Sequence, residues 1–167
     1  MIFCYSATGR TKVYADVLGK ITDRPVYMLQ SSLSTERKFS FFVKAAYGAI
    51  THKPEPVLNM PGVEAFAAYD DIYLCSPIWA GNICGPMRYF VHTAPIKGKK
   101  INMIFVYGAN INSSSLIIKT GKLFDDIGIQ LDSNNSKILM LAAHGTTAEK
   151  SDISIMEEHL RNLLYES

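Results

Sequence analysis

Three hydroxyl side chains and a glycine crowd into Ser6-Ala7-Thr8-Gly9-Arg10-Thr11, between an apolar opening, Met1-Ile2-Phe3-Cys4, and an amphipathic run that begins near Lys12. The chemistry such a stretch supports is anion binding. At a strand-to-helix turn the first helical N–H groups have no intrahelical partner, so they point outward beside the positive end of the helix dipole. Ser6, Thr8 and Thr11 add donors around the same spot, and Gly9 lets the backbone come close to a ligand with no Cβ in the way. Arg10 either adds charge or faces solvent. The same residues would equally suit a plain helix N-terminus capped by Thr8 or Ser6, which implies no ligand.

A second stretch, Ser76-Pro77-Ile78-Trp79-Ala80-Gly81-Asn82-Ile83-Cys84-Gly85-Pro86, holds the chain's only tryptophan in a Gly- and Pro-rich setting. A large ring there has no obvious core to fill. Trp79 stacks on a flat ligand, folds back over the sheet edge, or meets another protein surface. The other chemistry-bearing residues give less. His52, His92, His144 and His159 are well spread, and His144, after the last apolar run, reads as a solvated loop histidine. Asp125-Asp126 and Glu157-Glu158 fall within helical periods and read as solvated faces, so no catalytic side chain is assigned. Cys4, Cys75 and Cys84 form an odd set without metal-ligand spacing; the first two read as core thiols and Cys84 as an accessible loop thiol. No G-x-G-x-x-G occurs, which leaves a Rossmann-type nucleotide site unsupported.

These stretches need a frame to bring them together. Short apolar runs at residues 2–5, 25–29, 71–76, 100–107 and 136–142 read as strands covered on both faces, because most are apolar throughout rather than alternating. Helical periods fill the gaps. The first carries Val13, Val17, Leu18 and Ile21, and the second Phe39, Phe42, Val43, Ala46, Tyr47 and Ile50, spaced as a single buried stripe. Pro86 opens a third with Met87, Phe90 and Val91, and a fourth after the 113–115 serines carries Leu116, Ile117, Leu123, Phe124 and Ile127. The last begins near Ser151 or Asp152, with Ile153, Met156, Leu160, Leu163 and Leu164.

Strands alternating with helices in this way imply an α/β fold, a parallel sheet with right-handed crossovers and helices on both faces. Such a sheet binds ligands outside the carboxyl ends of its strands, where the strand order reverses. Loops 6–11, 76–85 and 108–115 therefore form one candidate site.

Composition narrows the class. With 167 residues, 48% hydrophobic and 19% charged, the chain reads as one domain, 1–167, with enough length for a substantial core. No run approaches the roughly 20 apolar residues of a membrane span, and the opening strand lacks the form of a leader, so a cytoplasmic protein with no membrane partner is expected. The formal charge of +2 is small and its lysines and arginines are scattered, which argues against nucleic acid.

At this point the chain resembles the flavodoxin-like FMN-binding proteins. Ser6-Ala7-Thr8-Gly9-Arg10-Thr11 is similar to the family's S/T-x-T-G-x-T phosphate loop, and Tyr69-Asp70-Asp71-Ile72-Tyr73-Leu74-Cys75-Ser76-Pro77-Ile78-Trp79-Ala80-Gly81 to its YD, apolar strand, G/S-P-x-W-A/G-G segment. Pro86-Met87-Arg88-Tyr89-Phe90 and Lys97-Gly98-Lys99-Lys100 look like the helix and strand approach that follow. The resemblance implies a doubly wound five-stranded parallel sheet in the order 2-1-3-4-5. It also implies that Ser6, Ala7, Thr8, Gly9, Arg10 and Thr11 hold the FMN phosphate. Pro77, Ile78, Trp79, Ala80, Gly81 and Asn82 would border the isoalloxazine, and Tyr107, Gly108, Ala109 and Asn110 would close its other side.

Two departures bear on function. Electron-carrier flavodoxins are typically strongly acidic, whereas this chain is slightly basic, and Asn110 and Asn112 stand where the carriers commonly place an aromatic. The resemblance thus implies an oxidoreductase passing electrons from a nicotinamide nucleotide or a protein donor to a quinone or similar small acceptor. A non-enzymatic carrier working with redox partner proteins is the alternative, followed by a flavin-free interaction module. Analogy with related reductases adds a possible homodimer.

Overall fold

The computed structural model describes residues 1–32, 38–107, 112–129, 131, 138–142, 153, 154, 157, 158 and 160–162. In chain order its elements are β1 (Ile2–Tyr5), α1 (Arg10–Thr22), β2 (Val26–Leu29), α2 (Lys38–Ile50), α3 (Val63–Ala67), β3 (Asp71–Trp79), β4 (Asn82–Ile83), α4 (Gly85–Thr93), β5 (Lys100–Tyr107), α5 (Ser113–Asp125) and β6 (Ile138–Ala142). Helical backbone recurs at residues 153, 154, 157, 158 and 160–162.

The sheet runs β2-β1-β3-β5-β6, and every pairing along that path is parallel. Counted over the parallel strands alone, this is the expected 2-1-3-4-5. The addition is β4, two residues long, which folds back antiparallel on the end of β3. A short α3 is also new, its five residues offering too few turns for a helical period to show.

Continuous apolar strands are explained by which side each residue faces, since successive side chains point to opposite faces. Phe3, Tyr5, Ile72, Leu74, Met103 and Phe105 face one layer, where Phe66 of α3, Met87 and Phe90 of α4, and Leu123 and Phe124 of α5 pack on them. Ile2, Cys4, Tyr73, Cys75 and Ile104 face the other, against Ala15, Val17 and Leu18 of α1 and Leu160. Each large side chain so buried contributes about 1.5–3 kcal/mol. Phe3 lies at the centre of the first layer, with ring centroids 4.9 Å from both Phe66 and Phe90.

Residues after α2 return along the open edge of β2. Asn59 stands in for a strand there: its Oδ1 accepts from Gln30 N at 2.6 Å and its Nδ2 donates to Met28 O at 2.8 Å. Covering an edge in this way removes a row of unpaired backbone groups.

On α2 the burial differs from the sequence reading. Phe41, Ala45 and Ala49 are buried, while Val43, Tyr47 and Ile50 are exposed. Both sides of this helix are apolar, so periodicity alone could not choose between them.

Candidate functional site

The strand order reverses between β1 and β3, since β1 sends the chain outward to β2 on one side and β3 leads to β5 on the other. Loop 6–9 leaves the end of β1 at this point. Gly9 is the N-cap residue of α1 at φ +87°, and no side chain caps the helix. The plain capping role open to Thr8 or Ser6 is therefore not taken. Val13 N–H makes a helical bond back to Gly9 O at 3.2 Å, and the N–H groups ahead of it belong to the uncapped first turn.

Around that turn Thr11 is buried, Ala7 and Arg10 are half-buried, and Thr8 and Gly9 are exposed. Ser6 Oγ is buried and has no hydrogen-bond partner among the described residues. Leaving a buried hydroxyl unsatisfied costs about 1–3 kcal/mol. A Cβ on Gly9 would meet nothing within 4 Å, but the left-handed φ still selects glycine. We expect Gly9→Ala to destabilise the protein by about 1–2 kcal/mol through backbone strain, read as a lower urea midpoint at unchanged slope.

The second predicted loop is shorter than the sequence suggested. Pro77, Ile78 and Trp79 continue β3, and Ala80-Gly81 form a two-residue turn with φ of +48° and +71° before Asn82 and Ile83 pair back as β4. Positive φ at both positions is the type I′ hairpin geometry that matches strand twist. Alanine is an uncommon choice for it. Asn82 compensates: buried, it donates from Nδ2 to Ala80 O at 2.8 Å, while its own Oδ1 is left without a partner. Lys119 of α5 reaches Gly81 O at 3.5 Å.

Trp79 folds back toward the sheet. Its half-buried ring meets Tyr5 at 5.8 Å and Phe41 of α2 at 5.5 Å, both edge to face. Tyr5 directly precedes the Ser6 loop, so this contact joins the first two loops. Register adds the third strand end, since Pro77 pairs with Val106 and places half-buried Tyr107 beside Ile78. Gly108, Ala109, Asn110 and His144 lie outside the described residues. Asn112 is a helix cap, its Oδ1 accepting from Ser115 N at 2.9 Å.

Beneath the hairpin the thiol reading changes. Cys84 is fully buried against Ser76 Oγ, 3.4 Å away, and burial pushes its thiol up to about 11. Sequence placed it on an open loop because the end of β3 and the β4 hairpin that enclose it were read as part of one loop, 76–85. Native protein at pH 7.5 should accordingly resist iodoacetamide at Cys84, with labelling recovered in urea; stoichiometric labelling of the native state would contradict the burial.

Beside it Arg88 is also buried, with Nη2 3.1 Å from His52 Nδ1 and Nε without a partner. A guanidinium only donates, so His52 Nδ1 accepts and its ring is neutral. Burial, followed by the Arg88 charge, holds the imidazole below its ordinary range. Tyr5, Phe41 and Arg88 are the neighbours that sequence reasoning missed. Only Arg88 left a signal, a cation beside the apolar Met87, Phe90 and Val91 positions.

No protein-family model matches the sequence, and no curated protein matches it significantly. Solved structures do. A candidate flavoprotein from Bacteroides uniformis ATCC 8492 aligns with a TM-score of 0.67 at 17% identity over 96% of each chain. A flavodoxin from the domain Archaea aligns with a TM-score of 0.50 at 13% identity, over 94% of this chain and 90% of that one. The fold is flavodoxin-like. A flavoprotein in complex with FMN from Lactobacillus acidophilus NCFM also shares it, with a TM-score of 0.59 at 17% identity over 93% of this chain and 95% of the other. In this flavodoxin-like sheet the uncapped helix start, the unpartnered Ser6 hydroxyl and the Trp79 hairpin stand together at the switch point. Among the described residues no helix is long and apolar enough to cross a membrane.

Proposed function

We propose that this chain is an FMN-binding oxidoreductase that passes electrons to a quinone or a similar small acceptor. The observation that carries the reading is the buried Ser6 hydroxyl, unpartnered among the described residues and adjacent to the uncapped start of α1. A phosphate monoester answers both needs, because its oxygens accept from the hydroxyl and from the orphan N–H groups while the helix dipole favours its charge. Ser6, Ala7, Thr8, Gly9, Arg10 and Thr11 would hold that phosphate. Pro77, Ile78, Trp79, Ala80, Gly81 and Asn82 would border the ring with Tyr107, and the same role is proposed for Gly108, Ala109 and Asn110. The FMN complex of the Lactobacillus acidophilus flavoprotein supports the same cofactor here.

When bound, FMN supplies the electron chemistry, and no side chain is assigned as acid or base. The protein's part is placement. Both carbonyls of the Ala80-Gly81 turn accept hydrogen bonds, from Asn82 and Lys119, which hold the turn in place at the end of β3. The charge of +2 favours the enzyme over an acidic carrier.

The test is a visible spectrum after FMN addition and desalting, followed by NADH or NADPH and then a quinone in the same cuvette. Retained flavin that bleaches with a nucleotide and recovers with the quinone supports a nucleotide-driven reductase. Flavin that ignores both nucleotides calls for a protein donor, and no retained flavin defeats the proposal.

A further inference from the structure

The outer face of α2 has no partner among the described residues. Val43, Tyr47 and Ile50 are 54%, 66% and 61% exposed, at the i, i+4, i+7 spacing of one helical stripe. Exposed Lys44 flanks the stripe and exposed Lys53 follows the helix end; residues 38–54 contain no acid, and Glu55 just beyond them is half-buried and accepts from Ser32 Oγ at 2.6 Å. The opposite face of the same helix packs Phe41 against Trp79, so whatever covers α2 lies one helix width, about 10–12 Å, from the candidate site.

From this we propose that the outer face of α2 is the docking surface for an acidic electron-transfer protein, the donor to the site. The inference rests on the redox reading of the previous subsection. Two observations select this occupant. The three apolar side chains expose on the order of 400 Å² together, within the size of functional apolar patches on monomers and short of the apolar core of an obligate dimer interface. The two exposed lysines, Lys44 and Lys53, would also disfavour a second copy of the same face across a two-fold axis, whereas they steer an acidic partner inward. Each encounter delivers one electron. Two oxidised donor molecules and two protons from water then balance one quinone reduced to its hydroquinone.

The experiment uses a plant-type [2Fe–2S] ferredoxin as the acidic one-electron probe. Its binding, fluorescently labelled and oxidised, is measured by anisotropy against the FMN-loaded and the FMN-free protein over a salt series. The same titrations follow the double variant Lys44→Glu, Tyr47→Ser, and reduced ferredoxin is mixed with loaded protein by stopped flow. Both substituted side chains are exposed, so circular dichroism and Trp79 fluorescence should stay unchanged.

We expect affinity to fall with salt, the variant to bind at least tenfold more weakly, and flavin reduction by ferredoxin to slow in step while reduction by dithionite does not. Wild-type affinity in the variant overturns the proposal, whether or not flavin is retained. So does a concentration-dependent dimer that the variant abolishes, or variant-sensitive binding to phosphatidylserine vesicles without ferredoxin binding. Ferredoxin binding that survives in protein unable to retain FMN leaves α2 as an acidic-protein surface but overturns its redox role, and with it the proposed function.

Discussion

Phe3→Ala is expected to cost about 3–5 kcal/mol of unfolding free energy, a large part of the roughly 5–15 kcal/mol that holds a domain of this size folded. The reason is position rather than ring size alone. Phe3 is fully buried in the middle of β1, a central strand, and its ring touches those of Phe66, Phe90 and Tyr27, the last at a centroid distance of 6.1 Å. Alanine would leave a cavity between β1, α3 and α4 that these backbone-anchored rings can fill only in part. Denaturant melts should show a much lower midpoint with nearly unchanged slope. Ile118→Ala, at an α5 position 60% exposed, is the matched control and should change stability by less than about 0.5 kcal/mol. Similar losses at the two positions would mean that β1 is not central to the core.

Much of this architecture was legible in the sequence, for a physical reason. A strand covered on both faces has to be apolar at successive positions, and residues 2–5 and 100–107 carry that demand openly enough that their bounds match the observed β1 and β5. The strand-to-helix turn at Ser6 was legible as well, because three hydroxyls and a glycine break the apolar run just where β1 gives way to α1. The hairpin was not. Its turn depends on Ala80 at φ +48°, held by a buried Asn82, and an Ala-Gly pair lacks the usual Asn-Gly or Asp-Gly signature of a type I′ turn. With the hairpin hidden, the choice between a ligand-facing Trp79 and one folded back over the sheet stayed open, and Cys84 looked like an open thiol.

The burial of α2 was hidden differently. Phe41, Ala45 and Ala49 form an inner face of small residues plus one ring, while the bulkier Val43, Tyr47 and Ile50 look outward. Size would have favoured the wrong stripe, since close approach of a helix to its neighbours suits alanine rather than tyrosine. Periodicity reports that a helix has an apolar face; it cannot say which of two apolar faces the tertiary structure uses.

Ser6→Ala should move stability and affinity in opposite directions. In the protein without FMN the hydroxyl is buried with no partner among the described residues, so deleting it relieves an unsatisfied group; stability is expected to hold or to rise by up to about 1 kcal/mol. FMN affinity should fall, because a hydrogen bond to a charged group is worth about 1.5–3 kcal/mol, a roughly ten- to hundredfold change in Kd. Riboflavin, which has the ring but not the phosphate, isolates the cause. If Ser6 serves the phosphate, Ser6→Ala weakens FMN and leaves riboflavin where it was, and the ratio of the two affinities shrinks by the same ten- to hundredfold. Equal losses for both ligands would place the hydroxyl under the ring instead. A variant that is destabilised and binds FMN normally would show that Ser6 serves the fold alone, and the uncapped α1 would then lose its strongest claim to a phosphate.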